Sequence, residues 1–209
     1  MRSKMSDGIE PFSWRWGLDR GRPFHRYYID RFLTQHRNDI RGTVLEFQDP
    51  EYVPRLSPDR NVQLEILHLD HSNPVATIVG DLTKATTLPP GHFDCIVCTH
   101  VLHHIGDLAA AVDGLYRMLR PGGVLLAAVP AVSMDGVDNH ELWRFTTAGL
   151  NWILCRSFRQ TNVTVQSFGN SLTAAAEIRG LTTEEFSAQE IDHCDPHFAV
   201  EVCARAVRV

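Results

Sequence analysis

The strongest constraint in this sequence is a succession of short apolar runs, each closed by a polar residue or a proline. They are Thr43–Phe47 (TVLEF), Val62–Asp70 (VQLEILHLD), Ala76–Asp81 (ATIVGD), Phe93–His100 (FDCIVCTH) and Gly123–Pro130 (GVLLAAVP). Runs that are apolar at nearly every position belong to strands covered on both faces. Between the last two lies Asp107–Leu119, with Leu108, Val112, Leu115 and Leu119 on one face, Asp107 as N-cap and Arg120-Pro121-Gly122-Gly123 as the stop. Strand, helix and strand in that order make a crossover between parallel neighbours, so the expected fold is α/β, a doubly wound Rossmann-like sheet. An amphipathic helix over residues 24–38, with Tyr28, Phe32 and Leu33 at helical spacing, leads into it.

The tail departs from this alternation. Asn162–Ser167 reads as a strand, a helical stretch runs through Ala174–Glu190, and Ala199–Val207 alternates apolar with polar residues. Alternation at the end marks an antiparallel edge pair. The reading is a seven-stranded, mostly parallel sheet with an antiparallel C-terminal strand pair. At 209 residues the chain makes one domain (1–209), with 1–41 as a leading helix and lid segment and 42–209 as the Rossmann-like core.

Charge and composition narrow the function classes. A net charge of −5 leaves no positive excess for a phosphate backbone, so nucleic acid is not expected as a partner. The longest apolar stretch, Val124–Val132, contains Pro130 and is too short to span a bilayer. No apolar segment follows the basic residues at the N-terminus, and a cytoplasmic location is the expectation. The five cysteines are odd in number and scattered, as expected of small buried apolar side chains in a reducing compartment. Cys95 and Cys98 read as C-x-x-C, but their odd separation places them on opposite faces of a strand, so no metal site is expected there.

Ligands of doubly wound sheets bind beyond the carboxyl ends of the strands, where the order reverses. The turns after the first four runs should therefore line one crevice. Asp70 lies 24 residues after Glu46, near the spacing at which an acidic residue meets ribose hydroxyls in dinucleotide folds. Acidic residues at strand ends also form turns, so each of these has a structural reading as well.

The block Asp81–Pro130 resembles the central part of class I S-adenosylmethionine-dependent methyltransferases of the type 11 kind. It has Asp81 after the third strand, Phe93-Asp94 opening the fourth, a His-rich segment behind that, and L-x-P-G-G (Leu119–Gly123) before the fifth. Trp16–Tyr28 (W-G-x-x-R-G-x-P-x-x-R-Y-Y), Trp143–Thr146 (WRFT) and Asp195–Val200 (D-P-x-F-x-V) look like a subgroup found near glycosyltransferases. The resemblance implies S-adenosylmethionine as cofactor. It puts Glu46 at the charged end of the cofactor, Asp81 and Leu82 at the adenine, and Thr99 and His100 at the methionine part. The family's glycine-rich turn is degenerate here. It reads Glu46-Phe47-Gln48-Asp49-Pro50-Glu51-Tyr52, with Gln48 where the pattern places glycine, and this opposes cofactor binding. His25 stands where the subgroup often carries Asp, a change on the substrate side.

Eleven histidines are many for this length, and His100, His103 and His104 cluster beside Asp107. A histidine there suits a general base at neutral pH, with His103 and His104 first, and His140 and Glu141 in the loop Ala131–Leu142 second, for base or substrate contact; helix capping is the bland alternative. Metal binding ranks below both, because adjacent His103 and His104 cannot both point into one site. Trp143 and Arg144 read as substrate wall, Arg144 being suited to a carboxylate or phosphate or, equally, to a helix end. Trp14, Trp16, Tyr27 and Tyr28 read as an aromatic lid or as packing of the first helix.

Three functions compete on this basis. The first is a methyltransferase acting on an oxygen of a small polar metabolite such as a sugar or natural-product intermediate, monomeric or as a homodimer. The second is a cofactor-free cyclase, isomerase, hydrolase or lyase in the same fold. The third is a non-catalytic partner subunit.

Overall fold

The computed structural model describes residues 8–84, 88–136 and 141–209. Its seven strands are β1 (Thr43–Phe47), β2 (Gln63–His68), β3 (Ile78–Val79), β4 (Phe93–Thr99), β5 (Leu119–Pro130), β6 (Val163–Phe168) and β7 (Glu201–Val207). They form one sheet in the order β3-β2-β1-β4-β5-β7-β6. β1 to β5 run parallel, and β7 lies antiparallel between β5 and β6. This is the expected seven-stranded α/β sheet.

Alternating strand residues feed two cores, as pleating requires. Leu45, Ile96 and Cys98 face one side, where they meet α3 (Leu108–Met118) and α4 (Thr147–Leu154). Val44, Cys95 and Val97 face the other, under α1 (Phe24–Gln35), α5 (Ser171–Arg179) and α6 (Ala188–Asp192), with the short α2 (Val53–Leu56) at its margin. Cys95 and Cys98 thus separate onto opposite faces. Both are free thiols whose ionisation burial suppresses.

Local rules account for most boundaries. Asp107 caps α3 by accepting the Ala110 N–H at 3.0 Å. Several expectations need correction. The expected helix over 174–190 is broken in two by Gly180, whose φ of +68° is a left-handed C-cap. That glycine also packs directly on Ser13, where an added Cβ would meet backbone at 2.8 Å. β5 starts at Leu119 rather than at Gly123, because Leu119 pairs with Phe93 across a bulge. α4 was not expected at all; the Thr146 hydroxyl caps it through the Gly149 N–H at 3.0 Å. β3 shrinks to two residues, since the Thr77 hydroxyl takes over a ladder position by accepting the Ile66 N–H at 2.9 Å. Among the described residues no helix is long and apolar enough to cross a membrane.

Candidate active site

The carboxyl ends of β1, β2 and β4 share one edge of the sheet with the N-terminal end of antiparallel β7, where Glu201 pairs with Pro130 at the end of β5. The expected site residues divide into two groups along it.

On the β1–β3 side, Glu46 is buried, and its two oxygens accept the N–H groups of Tyr52 at 2.7 Å and Val53 at 3.0 Å. It therefore holds the turn and the start of α2, while burial pushes its pKa up. Gln48 occupies the glycine position with a φ of +69°. A non-glycine residue there costs about 1–2 kcal/mol. The backbone nonetheless keeps the left-handed geometry that glycine would supply, and Gln48, Asp49 and Pro50 face solvent. Tyr52, expected to add bulk to the turn, packs into the core under α1, its hydroxyl meeting Arg26 at 2.7 Å. The turn therefore departs from the family pattern in composition. A Gln48→Gly variant is expected to gain about 1 kcal/mol of stability in denaturant melts, and a loss would show that the side chain supports the turn.

Asp70 projects beyond β2 with 65% of its side chain exposed. Hydrogen bonds from Ser72 keep its pKa low, so it is ionised. Asp81 is more committed. One oxygen accepts both the N–H and the hydroxyl of Thr83, at 2.9 and 2.7 Å, and the other meets Lys84 at 3.4 Å. Leu82 is buried in the core beneath it. Thr99 closes β4 and is half-buried.

On the β4–β7 side lies a cluster of histidines and carboxylates. His100 has a φ of +52°, and its Nε2 lies 3.1 Å from both carboxylate oxygens of Glu201, a residue with no exposed surface. The His25 ring stacks on His100 at 5.2 Å and 27°. The Nδ1 of His25 lies 2.6 Å from Glu177, whose other oxygen accepts the N–H groups of Phe24 and His25 and so caps α1. His103 is 2% exposed. Burial drives its pKa down to about 2, its Nδ1 has no hydrogen-bond partner, and Glu141 is 3.9 Å from Nε2. Its ring, packed in a 3-10 turn (Leu102–His104), leaves no surface for an acceptor. His104 is exposed, its ring 3.9 Å from that of His103. His140 lies outside the described residues.

On the substrate side the expectations separate. Tyr28, expected at the substrate, is wholly buried and donates its hydroxyl to the Ile191 carbonyl at 2.9 Å. No surface of it remains for a ligand, so it belongs to the packing of α1. Trp143 donates its indole N–H to the Ile105 carbonyl at 2.8 Å. Arg144 is pinned by Glu141 at 2.5 Å and by the carbonyls of Ser133 and Met134. Both line a cleft of about 370 Å³ with Leu108 and Trp152. Trp16 reaches over to the same loop, its indole N–H on the Met134 carbonyl at 3.4 Å.

Glu141 emerged from the sequence, whereas Glu177 and Glu201 did not. Their signal is a carboxylate at an otherwise apolar position: Glu177 follows Ala174-Ala175-Ala176, and Glu201 stands between Val200 and Val202. Among the described residues no group of three or more His, Cys, Asp or Glu is arranged to hold a metal ion.

A parallel sheet ending in an antiparallel pair, with acidic residues beyond β1, β2 and β3, defines the class I methyltransferase fold. Residues 57–127 match the family described as "Methyltransferase domain". A ubiquinone biosynthesis O-methyltransferase from Psychrobacter cryohalolentis is 27% identical over 134 residues, covering 63% of this chain and 48% of that protein. Probable polyketide synthase 26 from Dictyostelium discoideum is 27% identical over 139 residues, covering 61% of this chain and 5% of that protein. The chain thus spans half or less of the length of these relatives. A solved S-adenosylmethionine-dependent methyltransferase from Archaeoglobus fulgidus superposes with a TM-score of 0.59 at 14% identity, covering 88% of this chain and 94% of that one.

Proposed function

We propose that this protein is an S-adenosylmethionine-dependent methyltransferase acting on an oxygen of a small polar metabolite, a sugar or natural-product intermediate. The observation that carries this is the turn after β1. Gln48 holds a φ of +69°, the left-handed backbone that a glycine at that place would favour. The rival reading, a cofactor-free enzyme, rested on that turn being closed, and its bulky Tyr52 is instead packed in the core.

The residues present fit the cofactor. The exposed carboxylate of Asp70 suits ribose hydroxyls, and Asp81 with Leu82 would form a wall for the adenine. Both Glu46 oxygens already hold backbone N–H groups, so Glu46 would act on the charged end through its field and its remaining lone pairs. Thr99 and His100 would face the methionine part. The cofactor supplies an electrophilic methyl group; what remains for the chain is to orient the acceptor and take its proton. The O-methyltransferase among the relatives supports oxygen as the acceptor atom. Micromolar binding of S-adenosylmethionine and S-adenosylhomocysteine, about −8 kcal/mol, is expected in isothermal titration. Absence of heat with either, from folded protein, would overturn the reading.

A further inference from the structure

We infer that His100 is the proton acceptor at this site and that Glu201 is the positioning residue that aims it; this rests on the methyltransferase reading and names the base within it. Four features converge on His100. Its backbone is held at a φ of +52°, the kind of strain that persists only where surrounding structure enforces it, here through the His100 N–H on the Ala128 carbonyl at 2.9 Å. Its Nε2 is bracketed at 3.1 Å by both oxygens of a carboxylate that has no exposed surface. Its Nδ1 makes no hydrogen bond among the described residues, and the side chain is 28% exposed, so that nitrogen is the one left for an acceptor. Its ring plane is fixed by the stacked His25, itself locked by Glu177.

The proton accounting follows from the geometry. A carboxylate facing Nε2 can only accept, so once the pair has lost its shared proton, the remaining ring proton sits on Nε2 and Nδ1 presents a lone pair. An acceptor hydroxyl gives its proton to Nδ1, and the resulting imidazolium is balanced by Glu201 at Nε2. Burial favours the uncharged forms of both partners, lowering the pKa of His100 and raising that of Glu201, and the 3.1 Å contact between them opposes this. The charged and titratable groups facing them are His25 and Arg26 of α1, Glu177 of α5, Cys203 of β7, His103 with its ring 5.2 Å from that of His100, and His104 and Glu141 from the loops.

Histidine-labelled protein followed by long-range nitrogen–proton NMR across pH tests the assignment without any substrate. In the wild type, the alkaline form of His100 is expected to carry its proton on Nε2. In Glu201→Gln the titration step of His100 is expected to fall by about one pH unit or more, or to vanish, since the negative partner of the imidazolium is gone. A wild-type His100 with its alkaline proton on Nδ1, a reading that needs no variant, or a midpoint unmoved in folded Glu201→Gln, overturns the assignment. Titration of S-adenosylhomocysteine into the same two proteins separates the two ideas. Binding to both with the wrong tautomer defeats only the base, and binding to neither defeats the methyltransferase reading.

Discussion

Glu177→Ala is expected to destabilise the protein by about 3 kcal/mol, the largest effect of any single substitution at this edge. One buried carboxylate does three jobs there: it pairs with His25 at 2.6 Å and accepts the N–H groups of Phe24 at 3.2 Å and His25 at 3.4 Å. α1 has no side-chain cap of its own, Pro23 being its N-cap residue, so Glu177 stands in from α5. Removing it orphans two backbone donors and a buried imidazole together. For a domain of this size the melting temperature should drop by about 6–12 °C, readable by calorimetry. Glu177→Gln keeps an acceptor and should recover part of the loss. A drop under about 1 kcal/mol in the alanine variant would mean that water replaces the carboxylate and that His25 is not locked.

The same residue shows where sequence reading stopped. β1, β4, β5 and α3 were legible because each is specified locally, by a run of apolar residues, by the Asp107 cap, or by the odd spacing that parts Cys95 from Cys98 onto two faces. The acidic residues at the strand ends were legible through their offsets in a known class of sheet. The partners of the histidines were not, because His25 and Glu177 are 152 residues apart in the chain, and His100 and Glu201 are 101 apart. Nothing local to either member announces the other. Tyr28 misled for a related reason: an aromatic near the N-terminus serves equally as lid or core, and its contact with Ile191 decides for core only once the C-terminal helices are in place. Gln48 was illegible in another way. Composition marks the turn as degenerate but gives no φ, and the left-handed φ of this glutamine is held by its surroundings, here the Gln48 N–H on the Leu67 carbonyl and the Asn73 amide on the Gln48 carbonyl.

Asp70→Ala is expected to weaken S-adenosylmethionine binding by about 10- to 100-fold while leaving stability almost unchanged. Its carboxylate is ionised and 65% exposed, and its links to Ser72 and His68 are surface contacts of small worth to the fold. Asp81→Ala should behave differently. Its carboxylate is tied to Thr83 and Lys84, so its loss should loosen the turn after β3 and shift melting and affinity together. The contrast between the two variants, measured by paired titration calorimetry and melting curves, distinguishes a side chain reserved for a ligand from one that serves the turn. An Asp70→Ala protein that binds the cofactor as well as the wild type would remove the ribose contact from the proposed site. Were Asp81→Ala then to lose affinity with no change in melting, the nucleoside would have to be held from the β3 side of the crevice instead.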